Sequence, residues 1–289
     1  MQVWDRTKLT EEKEAGIGAI RFTYGTVLGR FLAKTILCRK PISKLYGAWQ
    51  RSRFSRKKTK KFMAQFDISV DDCTQTEFSC FNDFFTRQRK PQPDTSKENE
   101  LVAVADAKLL ALPIDEGSVF AVKGVPYTTA ELLENEALAR EFCGGSCLIF
   151  RLAPTDYHRY SYPDAGTQEA SIKIQGVLHT VHPIAAASKV YRRNTRQYNV
   201  LHTAHFGKAV QMEVGALLVG RIVNHRDAAA KFDKLEEKGY FEYGGSTVIL
   251  LLQKGAVTID EDISEYSARG IETKVRLGER IGKASERAE

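Results

Sequence analysis

A serine that follows two glycines can carry out chemistry on its own backbone. The segment EKGYFEYGGSTVILLL places Gly244, Gly245 and Ser246 directly before an intensely apolar run. Paired glycines permit backbone conformations that side chains exclude, and they leave the carbonyl group of Gly245 unshielded. The hydroxyl of Ser246 can then reach that carbonyl. The alternative interpretation is a β-turn with the two glycines at its corner.

A second candidate segment is APTDYHRYSYP, which follows another apolar run. It carries Asp156, His158 and Arg159 between prolines. The end of a strand is a common place for reactive side chains, and histidine changes its protonation state near neutral pH. The alternative is a turn in which the histidine is only hydrogen-bonded.

Common catalytic and metal-binding signatures are absent from the sequence. It has no glycine-rich phosphate loop, no Gly-x-Ser-x-Gly turn and no His-Glu-x-x-His motif. Cys143 and Cys147 are four residues apart, but no second pair accompanies them, so we predict no metal site. The five cysteines form no regular framework, which favours a reducing compartment over a disulfide scaffold.

The composition is that of an ordinary folded protein. Of 289 residues, 43% are hydrophobic, 10% aromatic and 27% charged, which excludes a disordered chain, a collagen-like repeat and a coiled-coil rod. The first residues lack the apolar core of a signal peptide, and Arg21, Arg30 and Lys34 interrupt the longest candidates for a membrane span. We therefore expect any membrane contact to be peripheral.

The positive charge is concentrated in one segment. Residues 39–61 contain ten Lys or Arg and no acidic residue, whereas the net charge of the whole chain is only +7. Apolar residues recur at helical spacing around it, and we interpret residues 10–66 as two or three amphipathic helices. Tyr46 and Trp49 suit the headgroup layer of an anionic membrane. The cations that we assign to membrane docking are Lys44, Arg51, Arg53, Arg56, Lys57, Lys58, Lys60 and Lys61.

Two other interpretations of this basic segment stay open. The first is a solvated helical face that packs on the body of the protein. The second is nucleic-acid binding, which rests on charge alone because the sequence contains no zinc finger, no RNA-binding aromatic motif and no obvious recognition helix. We therefore do not expect nucleic acid as a partner.

The rest of the chain is mainly β-prone. A polar stretch with prolines at 90–100 suggests a boundary between a helical region, residues 1–90, and a β-rich region, residues 91–289. The short β-prone runs beyond it, which we predict to be strands, are bounded by Gly, Pro or Asp. They are LVAVADAKLLAL, SVFAVKGV, SCLIFRLAP, ASIKIQGVLHTV, KAVQMEVGALLVGRIV, STVILLLQKGAVTI and TKVRLGERIG. One helix, TTAELLENEALAREF, interrupts them, with Thr128 or Thr129 as its N-cap. The predicted fold class is α+β, with a helical N-terminal membrane-docking region before a β-rich catalytic body.

Six segments, taken in order, resemble the phosphatidylserine decarboxylase family. They are CFNDFFTRQRKP, VADAK, VKGVPYTTAELL, LAPTDYHRY, FGKAVQMEVGALLVGRI and EKGYFEYGGSTVILLLQKG, and they are distributed over residues 80–255. The form resembled is the short bacterial proenzyme with a GGST motif. The resemblance implies self-cleavage between Gly245 and Ser246, which gives a β chain of residues 1–245 and an α chain of residues 246–289.

The resemblance also implies a pyruvate cofactor. A covalent pyruvoyl group made from Ser246 forms the Schiff base with the substrate amine and accepts the electrons of decarboxylation. Such a group replaces pyridoxal phosphate, so the absence of a phosphate-binding loop is expected.

The family pattern contains an aspartate and two histidines. Here the aspartate position is Asp106 and the first histidine is His158, whereas the second histidine position holds Ser161. Serine cannot act as a base near neutral pH, so His158 covers both roles, another histidine substitutes, or maturation is impaired. Ala107 and Arg221 are further departures from the pattern. The other histidines that we consider are His179, His182 and His225.

The function implied by the resemblance is decarboxylation of phosphatidylserine to phosphatidylethanolamine on the cytoplasmic face of the cell membrane. The predicted catalytic residues are Asp106, His158 and Ser246. The expected partners are the anionic phospholipid membrane, the phosphatidylserine substrate and the two chains of the precursor, and a homodimer is left open. The alternatives are a pyruvoyl decarboxylase of another amine, such as a free aromatic amino acid, and a processing-impaired lipid-binding relative.

Overall fold

The computed structural model describes residues 2–11, 26, 40–91, 93–122, 125–177, 190–216, 221–243 and 246–285. The helices in this part are α1 (Lys40–Gln50), α2 (Arg56–Phe66), α3 (Phe81–Phe85), α4 (Thr129–Leu133), α5 (Glu136–Arg140), α6 (Val190–Arg193) and α7 (Glu261–Ala268), with a 3-10 turn at Arg53–Ser55. The strands in the first half are β1 (Gln2–Trp4), β2 (Leu9–Glu11), β3 (Glu100–Val102), β4 (Ala107–Pro113), β5 (Val119–Val122), β6 (Val125–Thr128) and β7 (Ser146–Leu152). The later strands are β8 (Arg159–Ser161), β9 (Gly166–Gln168), β10 (Ile172–Ile174), β11 (Arg196–Thr203), β12 (Lys208–Gly215), β13 (Ile222–Asn224), β14 (Ala230–Phe232), β15 (Glu237–Phe241), β16 (Ser246–Leu252), β17 (Val257–Ile259), β18 (Glu272–Val275) and β19 (Arg280–Ala284).

Most of the described strands form one large sheet. Its order is β14-β9-β11-β12-β16-β7-β4-β18-β1-β2, and β10 also pairs with β11. Three smaller sheets, β13-β15-β8, β17-β19-β3 and β5-β6, complete the described β-structure. The prediction of a β-rich body with few helices is therefore confirmed.

Strand β16 lies near the middle of the large sheet and is buried on both faces. Ile249 and Leu251 pack into one hydrophobic core, together with residues of α4 and α5. Val248, Leu250 and Leu252 pack into the core on the opposite face. Because successive side chains of a strand point to opposite faces, a strand between two cores needs a continuous apolar run. The run STVILLL meets that need, and its prediction as a strand is confirmed.

The first described residues form a hairpin rather than the start of a helix. β1 pairs with β2 in antiparallel and with β18 in parallel orientation. Trp4 stacks on Tyr266 of α7 with ring centroids 4.4 Å apart. These long-range contacts override the helical interpretation for residues 10 and 11, which was wrong. Nearly all of residues 12–39 lie outside the described part, so their predicted helices are not tested.

Helices α1 and α2 agree with the helical interpretation of residues 40–66. Phe62 of α2 contacts the rings of Phe81 and Phe84 at 5.3 and 6.2 Å between centroids. These rings belong to a small separate core under the two helices. The membrane-docking role of this region and the domain boundary near residue 90 stay predictions.

The helix predicted in TTAELLENEALAREF is two short helices, α4 and α5. The hydroxyl of Thr128 accepts the N–H of Glu131 at 3.0 Å, and the Glu131 carboxylate accepts the N–H of Thr128 at 3.3 Å. This capping box confirms Thr128 as the N-cap. Glu134 then adopts a left-handed conformation and ends α4, and Asn135 caps α5. The prediction of one helix was wrong because Asn135 provides a second helix start within it.

A buried ion pair joins the sheet β13-β15-β8 to the large sheet. Nζ of Lys238 on β15 lies 2.7 Å from Oε1 of Glu213 on β12, and neither side chain is exposed. Asn224 on β13 donates a second hydrogen bond to Glu213 at 3.1 Å. Burial raises the pKa of Glu213 and lowers the pKa of Lys238, and the attraction between the two charges opposes both shifts.

We expect Lys238→Met to lower the free energy of unfolding by about 3–5 kcal/mol, because the change leaves Glu213 buried without its cation. Urea unfolding followed by circular dichroism measures this value. Lys231→Met, at an exposed lysine of β14, is the matched control and should stay within about 0.5 kcal/mol of the wild type. Equal stability of the Lys238→Met variant and the wild type would contradict the prediction.

Candidate functional site

Ser246 is the first residue of β16, and two neighbouring strands fix its backbone position. It pairs with Gly215 on β12 and with Leu152 on β7. Both antiparallel ladders continue without a bulge to Leu252, so a register slip would turn every buried side chain of β16 to the wrong face. The predicted cleavage position is therefore one end of the central strand. Residues 244–245 and the side chain of Ser246 lie outside the described part.

His158 lies in the segment that follows β7 and is fully buried. Its Nδ1 lies 2.9 Å from the backbone oxygen of Asp156. Because a carbonyl oxygen only accepts, we assign the proton to Nδ1, which leaves Nε2 as the acceptor of a neutral ring. Nε2 has no hydrogen-bond partner among the described residues. Burial, reinforced by the charges of Arg87 and Lys108, lowers the pKa of His158 to about 3, so the ring is neutral at physiological pH.

An ion pair holds the turn that carries this histidine. Nζ of Lys108 on β4 lies 3.2 and 3.1 Å from the two carboxylate oxygens of Asp156. The same carboxylate accepts the N–H of Ala153 at 2.7 Å. Asp156 thus positions the backbone carbonyl that binds the imidazole of His158.

Aromatic contacts connect His158 to the segment that enters the GGST motif. The imidazole packs against Phe85 of α3 at an interplanar angle of 33°, with ring centroids 3.8 Å apart. Phe85 in turn contacts Tyr243, three residues before Ser246, at 5.1 Å. The backbone oxygen of His158 also accepts the N–H of Phe241 at 2.9 Å. The structure therefore places His158 beside the strand that leads into the predicted cleavage position.

Asp106 lies at the same end of the large sheet as Ser246, with β7 between them. It directly precedes β4, in which Lys108 pairs with Arg151 of β7. The next residue of β7, Leu152, pairs with Ser246. The sheet register, rather than the sequence distance, brings these two predicted site residues to one edge.

The Asp106 carboxylate is bound by an arginine and by a backbone amide. Oδ2 accepts a hydrogen bond from Nη2 of Arg89 at 2.7 Å, and Oδ1 accepts the N–H of Leu277 at 2.9 Å. Asp106 and Arg89 line a cleft of about 570 Å³ together with Asp156 and Lys274. In this arrangement the carboxylate orients Arg89 at the cleft.

Ser161 lies on the Asp106 side of the site. Its N–H donates to the backbone oxygen of Val104 at 2.9 Å, and its own backbone oxygen accepts Nε2 of Gln211 at 3.1 Å. The residue is only 3% exposed and lines a second, larger cleft of about 1130 Å³. Arg89 lines both clefts and also binds the Asp106 carboxylate.

One of the alternative histidines is connected to position 161. Nε2 of His225 lies 2.6 Å from Oε1 of Glu237, and the ring is 42% exposed. Glu237 pairs with Ser161 across β15 and β8, and it also binds Arg159 at 2.6 Å. The other two alternatives, His179 and His182, lie outside the described residues.

Residues 45–61 of the basic segment, which we call the basic surface, expose both cations and large apolar side chains. Leu45, Trp49 and Phe54 are 71%, 45% and 86% exposed. The exposed cations are Arg51, Arg53, Arg56, Lys57, Lys60 and Lys61. Lys58 differs because it is half-buried among aromatic rings, and the side chain of Lys44 lies outside the described part. Exposed apolar groups beside cations are typical of a surface that binds the headgroup layer.

The described residues contain neither a candidate membrane span nor a candidate metal cluster. No helix among them has both the length and the apolar character needed to cross a bilayer. Nor do they bring together three or more His, Cys, Asp or Glu side chains that could hold a metal ion. Cys147 is buried in β7, and Cys143 lies 2.8 Å from the hydroxyl of Ser118.

Known proteins confirm the family that the sequence resembles. A sequence profile described as phosphatidylserine decarboxylase matches residues 81–283. Phosphatidylserine decarboxylase proenzyme 2 of Clostridium acetobutylicum is 42% identical over 285 residues, which cover 98% of this chain and 97% of that relative.

Two further relatives are named phosphatidylserine decarboxylase proenzyme. The protein of Clostridium botulinum strain 657 is 42% identical over 278 residues, which cover 94% of each chain. The protein of Clostridium perfringens is 41% identical over 278 residues, which cover 94% of this chain and 95% of the relative. The chain is thus a carboxy-lyase and belongs to the phosphatidylserine decarboxylase family.

Proposed function

We propose that this chain cuts itself between Gly245 and Ser246 and then decarboxylates phosphatidylserine to phosphatidylethanolamine. The observation that carries the proposal is the placement of Ser246 at the fixed end of β16, three residues after Tyr243. Tyr243 is linked through Phe85 to the neutral imidazole of His158. The relatives are named proenzymes, which supports a maturation step.

In the proposed cleavage the hydroxyl of Ser246 attacks the carbonyl carbon of Gly245. The hydroxyl proton goes to a base, and the bond between the Gly245 carbon and the Ser246 nitrogen breaks, so that an ester replaces the amide. Elimination then frees the Gly245 carboxylate as the end of the β chain, and water releases the nitrogen as ammonia. We assign Nε2 of His158 as the proton acceptor because it is a buried acceptor without a partner among the described residues.

A pyruvoyl group formed from Ser246 supplies the carbonyl that accepts electrons when carbon dioxide leaves the substrate. We infer that Nε2 of His158, a buried acceptor without a partner among the described residues, can hold or move a proton for this group. The two clefts near Asp106 share three cationic side chains, which suit an anionic phospholipid headgroup. These cations are Arg89, Lys274 and Arg276.

The sheet keeps the two proposed chains together after cleavage. β16 would belong to the α chain, and it pairs on one side with β12 and on the other with β7, both of the β chain. The lipid substrate, which resides in a membrane, and the basic surface support a peripheral enzyme on the anionic cytoplasmic face of the cell membrane.

Ser161 favours a second candidate function, a lipid-binding relative that matures incompletely. The low pKa of His158 keeps the ring neutral but also makes it a weak base. We therefore expect self-cleavage of the wild type to be slow but not abolished.

Ser246→Ala should abolish cleavage because it removes the attacking hydroxyl. Intact mass spectrometry should show fragments 1–245 and 246–289 for the wild type, with one water gained and one ammonia lost overall. The variant should show only the uncut chain, and Ser264→Ala, at an exposed serine of α7, should cut like the wild type. Cleavage of the Ser246→Ala chain at the same bond would refute the mechanism.

Ser161→His should accelerate maturation by about 10²–10⁴-fold, because it supplies a second imidazole at the position where the family pattern has one. His158→Ala should abolish the slow cleavage of the wild type, and Ser161→Asn controls for the loss of the serine alone. A time course of proenzyme cleavage after synthesis measures all four chains. Rapid, complete wild-type cleavage with no gain from Ser161→His would show that the departure at this position does not matter.

Reversing Arg56, Lys57, Lys60 and Lys61 to Glu should release the protein from phosphatidylserine liposomes, because each basic residue near an anionic surface contributes about 1 kcal/mol of attraction. Binding of the wild type should also weaken as salt rises. The charge-matched control reverses four exposed cations elsewhere, namely Arg140, Lys173, Lys254 and Arg269. Unchanged cosedimentation of the first variant would leave the basic surface as a solvated face.

A further inference from the structure

A lysine of the basic surface is enclosed by aromatic rings next to the cleavage motif. Nζ of Lys58 on α2 lies 4.0 Å from the ring centroid of Phe81 and 4.4 Å from that of Tyr243. The rings of Tyr46 and Trp49 on α1 lie 5.7 and 5.8 Å away. The Tyr46 hydroxyl is 3.5 Å from the same nitrogen. An ammonium is attracted to the negative faces of such rings, and the attraction grows as water is excluded.

The rings of Tyr46, Trp49, Phe81 and Tyr243, which we call the aromatic cage, therefore take the place of a counter-ion for Lys58. In the described part of the chain, no carboxylate forms an ion pair with it, although Arg51 and Arg56 of the same surface each pair with a glutamate. Its ammonium bridges α1, α2 and α3 to Tyr243, two residues before Gly245. This is not the environment of a cation that only faces solvent.

Other contacts from the same helices hold the residues just before the two glycines. Nη1 of Arg51, which follows α1, lies 2.9 Å from Oε2 of Glu242. The backbone N–H of Tyr243 donates to Oδ1 of Asn82 on α3 at 3.1 Å. The helices thus hold the chain before the scissile bond, whereas the large sheet holds Ser246 after it.

We propose that Lys58 is a positioning residue for self-cleavage, and that its caged ammonium fixes Tyr243 and so aligns the carbonyl side of the scissile bond. The role rests on the self-cleavage proposed above. Attack of a hydroxyl on the preceding carbonyl requires a defined orientation between the two flanks, and a small misplacement slows such a reaction strongly. Part of the basic surface then serves maturation directly, without any membrane.

Lys58→Met tests this role because it removes the ammonium and keeps an unbranched apolar side chain in the cage. In lipid-free buffer, the variant should cleave about tenfold more slowly than the wild type, whereas Lys58→Arg, which keeps a cation over the rings, should stay within about threefold. Lys283→Met, at an exposed lysine of β19, removes the same charge elsewhere and should cleave at the wild-type rate.

The pH dependence of cleavage separates this role from simple packing. Burial lowers the pKa of Lys58 to about 8, so its ammonium is lost as the pH rises through that value, whereas an arginine stays charged. The other titratable groups that face the cage are the hydroxyls of Tyr46 and Tyr243, and burial raises the pKa of Tyr243. The adjoining charges, Arg51 and Glu242, pair with each other. The wild-type rate, divided by the rate of Lys58→Arg, should fall between about pH 7 and 9.

The outcomes distinguish the positioning role from self-cleavage itself. Wild-type rates in Lys58→Met, equal slowing in Lys58→Met and Lys58→Arg, or a rate ratio that does not change with pH overturns the positioning role and leaves self-cleavage standing. A wild-type chain that never cleaves overturns self-cleavage and the positioning role together.

Discussion

The burial of β16 on both faces is the constraint on which the candidate site depends. The strand is paired along its whole length with β12 and β7, and its side chains alternate between two hydrophobic cores. Each buried leucine or isoleucine contributes about 1.5–3 kcal/mol, so a shift of one residue is strongly disfavoured. Ser246 is therefore held at one end of the sheet, where β4 and the segment after β7 also bring Asp106 and His158.

Burial also sets the chemical character of His158. Contact with Phe85 and removal from water keep the imidazole neutral. Nδ1 donates to the backbone oxygen of Asp156, which leaves Nε2 as the acceptor nitrogen. The same burial lowers the basicity of the ring. In the proposed cleavage, such a weak base would accept the serine proton slowly, and Ser161 supplies no second base.

Local patterns made part of this structure predictable from the sequence. The apolar run of β16 and the cap at Thr128 depend on neighbouring residues and were correctly predicted. β11 was missed because it carries buried polar side chains such as Arg196, which donates to the backbone oxygens of Leu132 and Arg192. Lys58 has the sequence signature of a surface charge, since its cage is assembled from separate segments. The motifs predicted which residues form the candidate site, but only the sheet register shows that Asp106 and Ser246 share an edge.

Labelling of the α chain with an aminooxy reagent, followed by tandem mass spectrometry, tests the central claim most directly. The reagent forms an oxime only with a ketone or aldehyde carbonyl, and a pyruvoyl group at position 246 supplies one. The expected result is a label on the first residue of fragment 246–289. An unlabelled fragment that begins with a free serine amine, or a chain that stays uncut, would contradict the proposed maturation.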